Sequence, residues 1–264
     1  MPSQKLNKIQ RHKLLIAYDG FDYAGWQVQP GMKTIQNELE KCFNRLTGQV
    51  LKVHGSGRTD QGVHAMGQVA HVDLPAHLLA GNILKGLNAL LPPTIRIMKV
   101  KSVPAQFHAR RDALSKEYRY FIWNGVVMPP CLYRYRTHIR LPLNVPAMQN
   151  AADLLAGNHD FAAFTANSRK TAGSTVRNLS LLAVRRRGDE IMITARSEGF
   201  LYRMVRSLAG FLIRVGAGDL KPAEAKEILE HNKRTAKVPT ARPQGLFLWK
   251  VFYPKIYIKK AQEK

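Results

Sequence analysis

The sequence predicts an α/β protein of the α+β type, in which two ferredoxin-like (RRM-like) halves form a mixed, mainly antiparallel sheet. Alternating apolar residues mark the strands, and apolar stripes at helical spacing mark the helices. In each half these elements follow the order strand, helix, strand, strand, helix, strand, which is the split βαβ arrangement. The halves are expected at residues 1–107 and 108–264, with the boundary in the segment 104–111, which begins with a proline.

The elements of the first half are marked by caps and by helix-breaking residues. Thr34 is a suitable N-cap for a helix that ends at Gly48, and Pro92 with Pro93 ends a second helix. The predicted elements are a strand at 13–18, a helix at 35–47, strands at 51–54 and 68–74, a helix at 78–91 and a strand at 95–103.

The second half repeats this order with longer insertions. Gly188 and Asp189 predict the turn of a hairpin, and Val205, Leu208 and Leu212 share one face of a helix. The predicted elements are a strand at 117–123, a helix at 146–155, a hairpin at 178–196, helices at 202–215 and 222–231 and a strand at 246–253.

A glycine-rich loop is the most informative chemical feature of the chain. Asp60 follows Arg58 by two residues, and Gly55, Gly57 and Gly62 surround the pair. Glycine allows positive φ and close approach of a ligand to the main chain, so the carboxylate could act there as a nucleophile or a base. The alternative is that Asp60 closes an Asx-turn and Arg58 is a solvated charge.

The charge of the chain indicates a polyanionic partner. Lys and Arg number 41 against 18 Asp and Glu, a formal net charge of +23. A basic excess spread over the whole chain is typical of nucleic-acid binding rather than of membrane binding. Aromatic residues lie among the basic groups, which favours RNA because unpaired bases can stack on them. Examples are Tyr118 and Tyr120 beside Arg119, and Tyr202 beside Arg203.

Cysteine and carboxylate spacing predicts neither a disulfide nor a metal site. The chain has two cysteines, Cys42 and Cys131, and Asp19 with Asp22 lacks the further carboxylates of an oxygen-coordinated metal. No apolar run of membrane-spanning length occurs, and residues 1–13 lack the apolar core of a signal peptide. We therefore expect a cytoplasmic protein without a metal or an organic cofactor.

Several motifs together resemble the tRNA pseudouridine synthase A family along nearly the whole chain. These motifs are Tyr18-Asp19-Gly20, Gly25-Trp26-Gln27, the segment 57–65, Phe107-His108-Ala109-Arg110, 116–120, His159-Asp160-Phe161, Met204-Val205-Arg206 and Gly245-Leu246-Phe247-Leu248. The chain departs from the family pattern at Thr94, where an acidic residue is common, and in the segment 167–175.

The resemblance implies an isomerase that converts uridine to pseudouridine in the anticodon stem-loop of tRNA, at positions 38 to 40. It also implies a homodimer, no metal or organic cofactor and a sheet of the pseudouridine synthase type. Asp60 would be the catalytic residue, Arg206 would pair with it, and Tyr118 would lie against the base and help to remove the C5 proton. Leu246 would form an apolar wall of the uracil pocket.

The residues leave several alternatives open. Asp60 could attack C1′ or take a C2′ proton. On pattern alone, Tyr118 and Leu246 could be ordinary core residues and Arg206 a solvated charge. Arg58 could contact RNA, filling the gap left by a flipped base, or brace the loop. The second functional hypothesis is a noncatalytic RNA-binding protein with RRM-like folds, and the Asp60 loop distinguishes the two because a binding protein needs no carboxylate facing phosphate.

Overall fold

A computed structural model of the chain describes residues 8–166 and 173–259, so residues 167–172 of the divergent segment lie outside the described residues. Its strands are β1 (Ile9–Tyr18), β2 (His54–Gly55), β3 (His64–Pro75), β4 (Ile95–Val103), β5 (Ser115–Trp123), β6 (Thr137–His138), β7 (Gly157–Asp160), β8 (Val176–Arg187), β9 (Glu190–Ser197) and β10 (Leu246–Phe252). Its helices are α1 (Ile35–Thr47), α2 (Ala80–Leu90), α3 (Val145–Leu155), α4 (Met204–Gly216), α5 (Glu224–His231) and α6 (Ile256–Lys259).

The chain divides into two compact units. Unit 1 contains the described residues up to Leu114 and those from Leu248 onwards, and unit 2 contains residues 115–247. The predicted halves, 1–107 and 108–264, stay a prediction, and the units differ from them at both ends. At the C-terminal end the reason is strand pairing, because residues 248–252 of β10 lie next to β3 within unit 1.

Unit 1 has the strand order expected of a ferredoxin-like half. Its sheet runs β4-β1-β3, and β2 pairs with β3. The β1–β3 and β1–β4 pairs are both antiparallel. Thr34 accepts a hydrogen bond from Asn37 N at the start of α1, and Gly48 ends that helix in the left-handed conformation with φ 70°, as predicted.

Unit 2 has a sheet of its own. This sheet runs β5-β9-β8-β7, and the β5–β9 and β8–β9 pairs are both antiparallel. The turn at Gly188 and Asp189 joins β8 to β9, as predicted, and α4 buries Val205, Leu208 and Leu212. The mixed α/β fold with a mainly antiparallel sheet is confirmed.

Some element bounds were predicted wrongly. The strand expected at 51–54 is limited to His54 and Gly55, since only these two residues pair with β3. The strands β6 and β7 and the helix α6 are only two to four residues long, which is too short for an apolar period to mark them in the sequence. None of the helices in the described part of the chain is long and apolar enough to span a membrane.

Candidate active site

The aspartate loop, residues 56–63, connects β2 to β3 in unit 1 and is anchored through its main chain. The Trp26 amide donates to Thr59 O at 3.1 Å, and the Gly62 amide donates to Tyr23 O at 3.2 Å. The Val63 amide donates to Asp60 O at 3.2 Å and closes a turn at the aspartate itself. Gly62 has φ 75°, so one glycine of this loop adopts the left-handed conformation that glycine allows.

Glycines in the segment after β1 let the main chain of the aspartate loop approach the main chain of that segment closely. Gly25 has φ 101°, and a Cβ atom at this residue would lie 2.6 Å from Thr59 O. A Cβ atom at Gly20 would overlap the carbonyl group of Val63. The two segments are therefore in main-chain contact on either side of Asp60, which leaves the backbone of the aspartate little room to move.

Buried polar side chains support the loop from below. The hydroxyls of Tyr18 and Thr59 are 2.8 Å apart, and Gln68 Nε2 donates to Gly57 O at 2.9 Å. Ser56 Oγ donates to Gln68 Oε1 at 2.7 Å. Burial raises the pKa of Tyr18 above its ordinary value, so its hydroxyl stays protonated at neutral pH. Sequence reasoning missed this set, because polar residues on strands carry no signal of what they will contact.

His64 and Trp26 also hold the loop in place. His64 Nδ1 lies 3.0 Å from Gly20 N and 3.1 Å from Asp19 Oδ1, in a fully buried position. The buried Trp26 ring fills the space that a side chain at Gly55 would need. Both residues act as supports, and the buried imidazole has a hydrogen-bonding role.

Asp60 and Arg58 differ in exposure. Asp60 is half-buried, whereas Arg58 is exposed and its Nε donates to Gln27 Oε1 at 3.0 Å. This hydrogen bond gives Arg58 a bracing contact while leaving much of the guanidinium open to solvent. Contact between Arg58 and RNA therefore stays a prediction, beside the bracing contact with Gln27.

Arg206 lies in the first turn of α4, in unit 2, with only 9% of its surface exposed. Its Nε donates to Ala241 O at 2.8 Å, and the Ala241 amide donates back to Arg206 O at 3.0 Å. The segment 238–241 thus covers this face of the helix. The alternative of a solvated charge is wrong, because a guanidinium this deeply buried must be held by specific partners.

Tyr118 and Leu246 are buried side chains of β5 and β10. The Tyr118 ring is 8% exposed and packs edge-on against Phe200, with ring centroids 5.1 Å apart. Two residues along β5, the Tyr120 hydroxyl lies 2.6 Å from Thr137 Oγ1 and donates to Arg242 O at 2.9 Å. Burial raises the pKa of Tyr120 to about 12, so this phenol is a hydrogen-bond donor rather than a base at neutral pH.

The two units thus carry different parts of the predicted site. Arg58 and Asp60 share the aspartate loop of unit 1, and Tyr118, Arg206 and Leu246 belong to unit 2. The pairing of Asp60 with Arg206 stays a prediction. Within residues 8–166 and 173–259, no group of three or more His, Cys, Asp or Glu side chains is arranged to hold a metal ion.

Comparison with known proteins gives consistent matches. A family model described as tRNA pseudouridine synthase matches residues 14–112 and 151–254. The chain is 45% identical to tRNA pseudouridine synthase A of Brevibacillus brevis over 93% of its own length and 100% of that protein's. It is 43% identical to the protein of the same name from Geotalea daltonii, over 91% of this chain and 98% of that one.

One further relative and one solved structure extend these matches. The tRNA pseudouridine synthase A of Rhodospirillum rubrum is 44% identical over 92% of this chain and 88% of its own length. A chain in the crystal structure of a Cbf5-Nop10-Gar1 complex matches with a TM-score of 0.32 and 13% identity, over 76% of this chain and 54% of its own length.

Proposed function

Because the chain belongs to the tRNA pseudouridine synthase family, we propose that it isomerises uridine to pseudouridine in tRNA with Asp60 as its catalytic residue. The observation that carries this proposal is the aspartate loop, in which main-chain contacts hold a half-buried carboxylate at a tight turn. By family resemblance, the substrate is the anticodon stem-loop at positions 38 to 40, and the enzyme is a cytoplasmic homodimer that needs no metal or organic cofactor.

The reaction breaks the bond between N1 of uracil and C1′ of ribose and forms a bond between C5 and C1′. The uracil turns within the pocket between these steps, C5 loses its proton and N1 gains one. The Asp60 carboxylate either attacks C1′ as a nucleophile or takes the C2′ proton to give a glycal. In both routes an ionised carboxylate also stabilises the positive charge that develops on the ribose.

Arg206 supplies the counter-charge that this carboxylate needs. A guanidinium close to a carboxylate lowers the pKa of the acid and fixes its orientation through charge-assisted hydrogen bonds. The hydrogen bond from Nε to Ala241 O and the burial of Arg206 favour a single orientation of the guanidinium, as expected for a positioning group.

Tyr118 and Leu246 provide the pocket for the base. Tyr118, held edge-on by Phe200, lies against uracil and assists removal of the C5 proton, and Leu246 forms an apolar wall. Arg58 enters the space left in the stem when the uridine is flipped out, because a guanidinium can stack on a base and bind phosphate at once. Its exposure is compatible with this role.

Tritium release from tRNA labelled at uracil C5 tests the catalytic assignment. Asp60→Asn is expected to lower the release rate by about 10⁴-fold or more, since no other group replaces a nucleophile or base. The matched control is Asp153→Asn, the same change at an exposed residue of α3. The assays contain EDTA, with the RNA fold maintained by monovalent salt.

RNA binding is expected to survive the Asp60→Asn substitution, because affinity comes from many Lys and Arg contacts and falls by roughly 10² or more between low and physiological salt. If the Asp60→Asn variant released tritium at the wild-type rate, Asp60 would not be the catalytic residue. Normal tRNA binding without any release by the unmodified protein would favour the noncatalytic RNA-binding alternative, and a requirement for added Zn²⁺ would contradict the cofactor-free mechanism.

A further inference from the structure

Arg234 is a half-buried arginine held by hydroxyl groups alone. Its Nη1 donates to Ser207 Oγ at 2.8 Å, and its Nη2 donates to Thr240 Oγ1 at 2.8 Å. Within the described ranges of the chain, no carboxylate pairs with this guanidinium. Hydroxyls fix its orientation without neutralising its charge, and they leave other N–H groups of the guanidinium available.

A second arginine is close enough for its charge to act on Arg234. Arg203 directly precedes α4, and the Ser207 amide donates to Arg203 O at 3.0 Å, so Arg203 is one helical turn from the hydroxyl that holds Arg234. Burial lowers the pKa of Arg234, and the charge of Arg203 lowers it further. Arg203 also has φ 58°, a left-handed conformation that only a few per cent of non-glycine residues adopt.

Several other arginines of unit 2 form ion pairs with acidic residues. Arg119 and Arg196 both bind the buried Glu117, at 2.9 and 2.6 Å. Arg214, at the far end of α4, lies 3.4 Å from Asp219. The charge of Arg203 raises the free-energy cost of the half-buried charge of Arg234, and an anionic ligand bound by Arg234 would offset this cost.

We propose that Arg203 and Arg234 form a binding site for a backbone phosphate of the RNA. A guanidinium fixed in one orientation can bind two phosphate oxygens at once, which a flexible lysine does less well. Arg203 is exposed, and Arg206 follows it by three positions, about 4.5 Å along a helix axis. The site would therefore hold the phosphate of the target nucleotide or of its immediate neighbour. This inference rests on the proposed function, which places Arg206 at the target uridine.

Equilibrium binding of the anticodon stem-loop RNA over a range of salt concentrations tests the site. Measurements use the Asp60→Asn background, so that the RNA is not converted during the assay. Adding Arg234→Gln is expected to weaken binding about tenfold. It should also reduce the slope of log Kd against log salt by about one, the value for one lost phosphate contact.

Two further variants control for structure and charge. Arg214→Gln makes the same change on α4 at an arginine that has its own carboxylate partner, and it should alter neither affinity nor slope. Arg234→Lys keeps the charge and should retain most of the salt slope. Thermal unfolding of each variant reports whether the segment that carries Thr240 remains attached to α4.

Chemical neutralisation of single phosphates gives the decisive result. A methylphosphonate beside the target uridine should weaken binding to the parent protein, but it should have no further effect on Arg234→Gln, since both changes remove the same contact. The proposal would be overturned if the effects of the methylphosphonate and of Arg234→Gln were additive at every phosphate tested, or if Arg234→Gln left the salt slope unchanged. Arg234 would then serve only to connect Ser207 with Thr240. Failure of the unmodified protein to bind tRNA would instead contradict the proposed function.

Discussion

The aspartate loop of unit 1 and helix α4 of unit 2 hold their charged residues by different means. Around Asp60, main-chain amides bind main-chain carbonyls, and glycines stand where a side chain would collide with the backbone. Around Arg206, an apolar helix face and the side chain's own hydrogen bond to Ala241 fix the position. The carboxylate is thus positioned by backbone shape and the guanidinium by packing, so the two regions should respond differently to substitution.

Removing the guanidinium itself should have the largest effect. In the proposed mechanism Arg206→Ala leaves Asp60 without its counter-charge, and removing one partner of such a pair typically costs about 3–5 kcal/mol. We expect the single-turnover rate to fall by about 10³-fold, while the affinity for tRNA changes less than about tenfold. Rates from rapid mixing and affinities from filter binding measure the two quantities separately.

Arg58→Ala provides the comparison within the aspartate loop. Because Arg58 is assigned partly to RNA, rate and affinity should each fall by about tenfold. Equal effects on rate and affinity in both variants would remove the distinction between the two arginines.

A methyl group at Gly25 should displace the aspartate without touching its side chain. The Cβ atom would lie 2.6 Å from Thr59 O, and φ is 101°, so Gly25→Ala combines overlap with backbone strain. We expect the free energy of unfolding to fall by about 2–4 kcal/mol and the rate by about 10²-fold. Chemical denaturation and tritium release provide the two measurements.

Gly31→Ala is the matched control for Gly25→Ala, since Gly31 also has a positive φ of 70° but has no atom within 4 Å of the added Cβ. It should lose about 1 kcal/mol of stability and keep its rate. A normal rate in Gly25→Ala would mean that the backbone contacts do not set the position of the carboxylate.

A smaller effect than that of Gly25→Ala is expected from the packing behind Arg206. A Cβ atom at Gly210 would overlap the carbonyl oxygen of Pro239, so Gly210→Ala should shift the segment that holds Arg206 through Ala241. We expect a rate about tenfold lower and a loss of about 1–3 kcal/mol of stability. Gly199→Ala is the control, because its nearest atom, Arg177 Nε, is at an ordinary 3.7 Å. A rate unaffected by Gly210→Ala would show that helix packing does not control the guanidinium.

The sequence was sufficient to predict those structural features that depend on neighbouring residues in the chain. The Thr34 cap, the Gly48 end of α1 and the turn at Gly188 and Asp189 each depend on residues close together in the chain. The left-handed Gly62 beside Asp60 was predictable for the same reason. These features rest on the conformational preferences of single residues, which do not need tertiary context.

Features set by distant segments could not be predicted in this way. The helical pattern could not show that Arg206 is buried while Arg203 is exposed, because the segment 238–241 that covers Arg206 is distant in sequence. The strand expected at 51–54 covers only His54 and Gly55 in the structure, because pairing with β3 determines its length. Arg234 lies in no recognisable motif, and its orientation depends on contacts with Ser207 and Thr240 that the sequence pattern does not show.

The place of β10 in both units has a consequence for how the protein is made. Residues 248–252, which complete the sheet beside β3, leave the ribosome after every residue of unit 2. At typical rates of translation this delay is on the order of ten seconds, during which part of the β3 edge has no partner strand. An open strand edge is a site for wrong pairing with other chains. Nascent chains of this protein should therefore depend on chaperone protection until the last strand emerges.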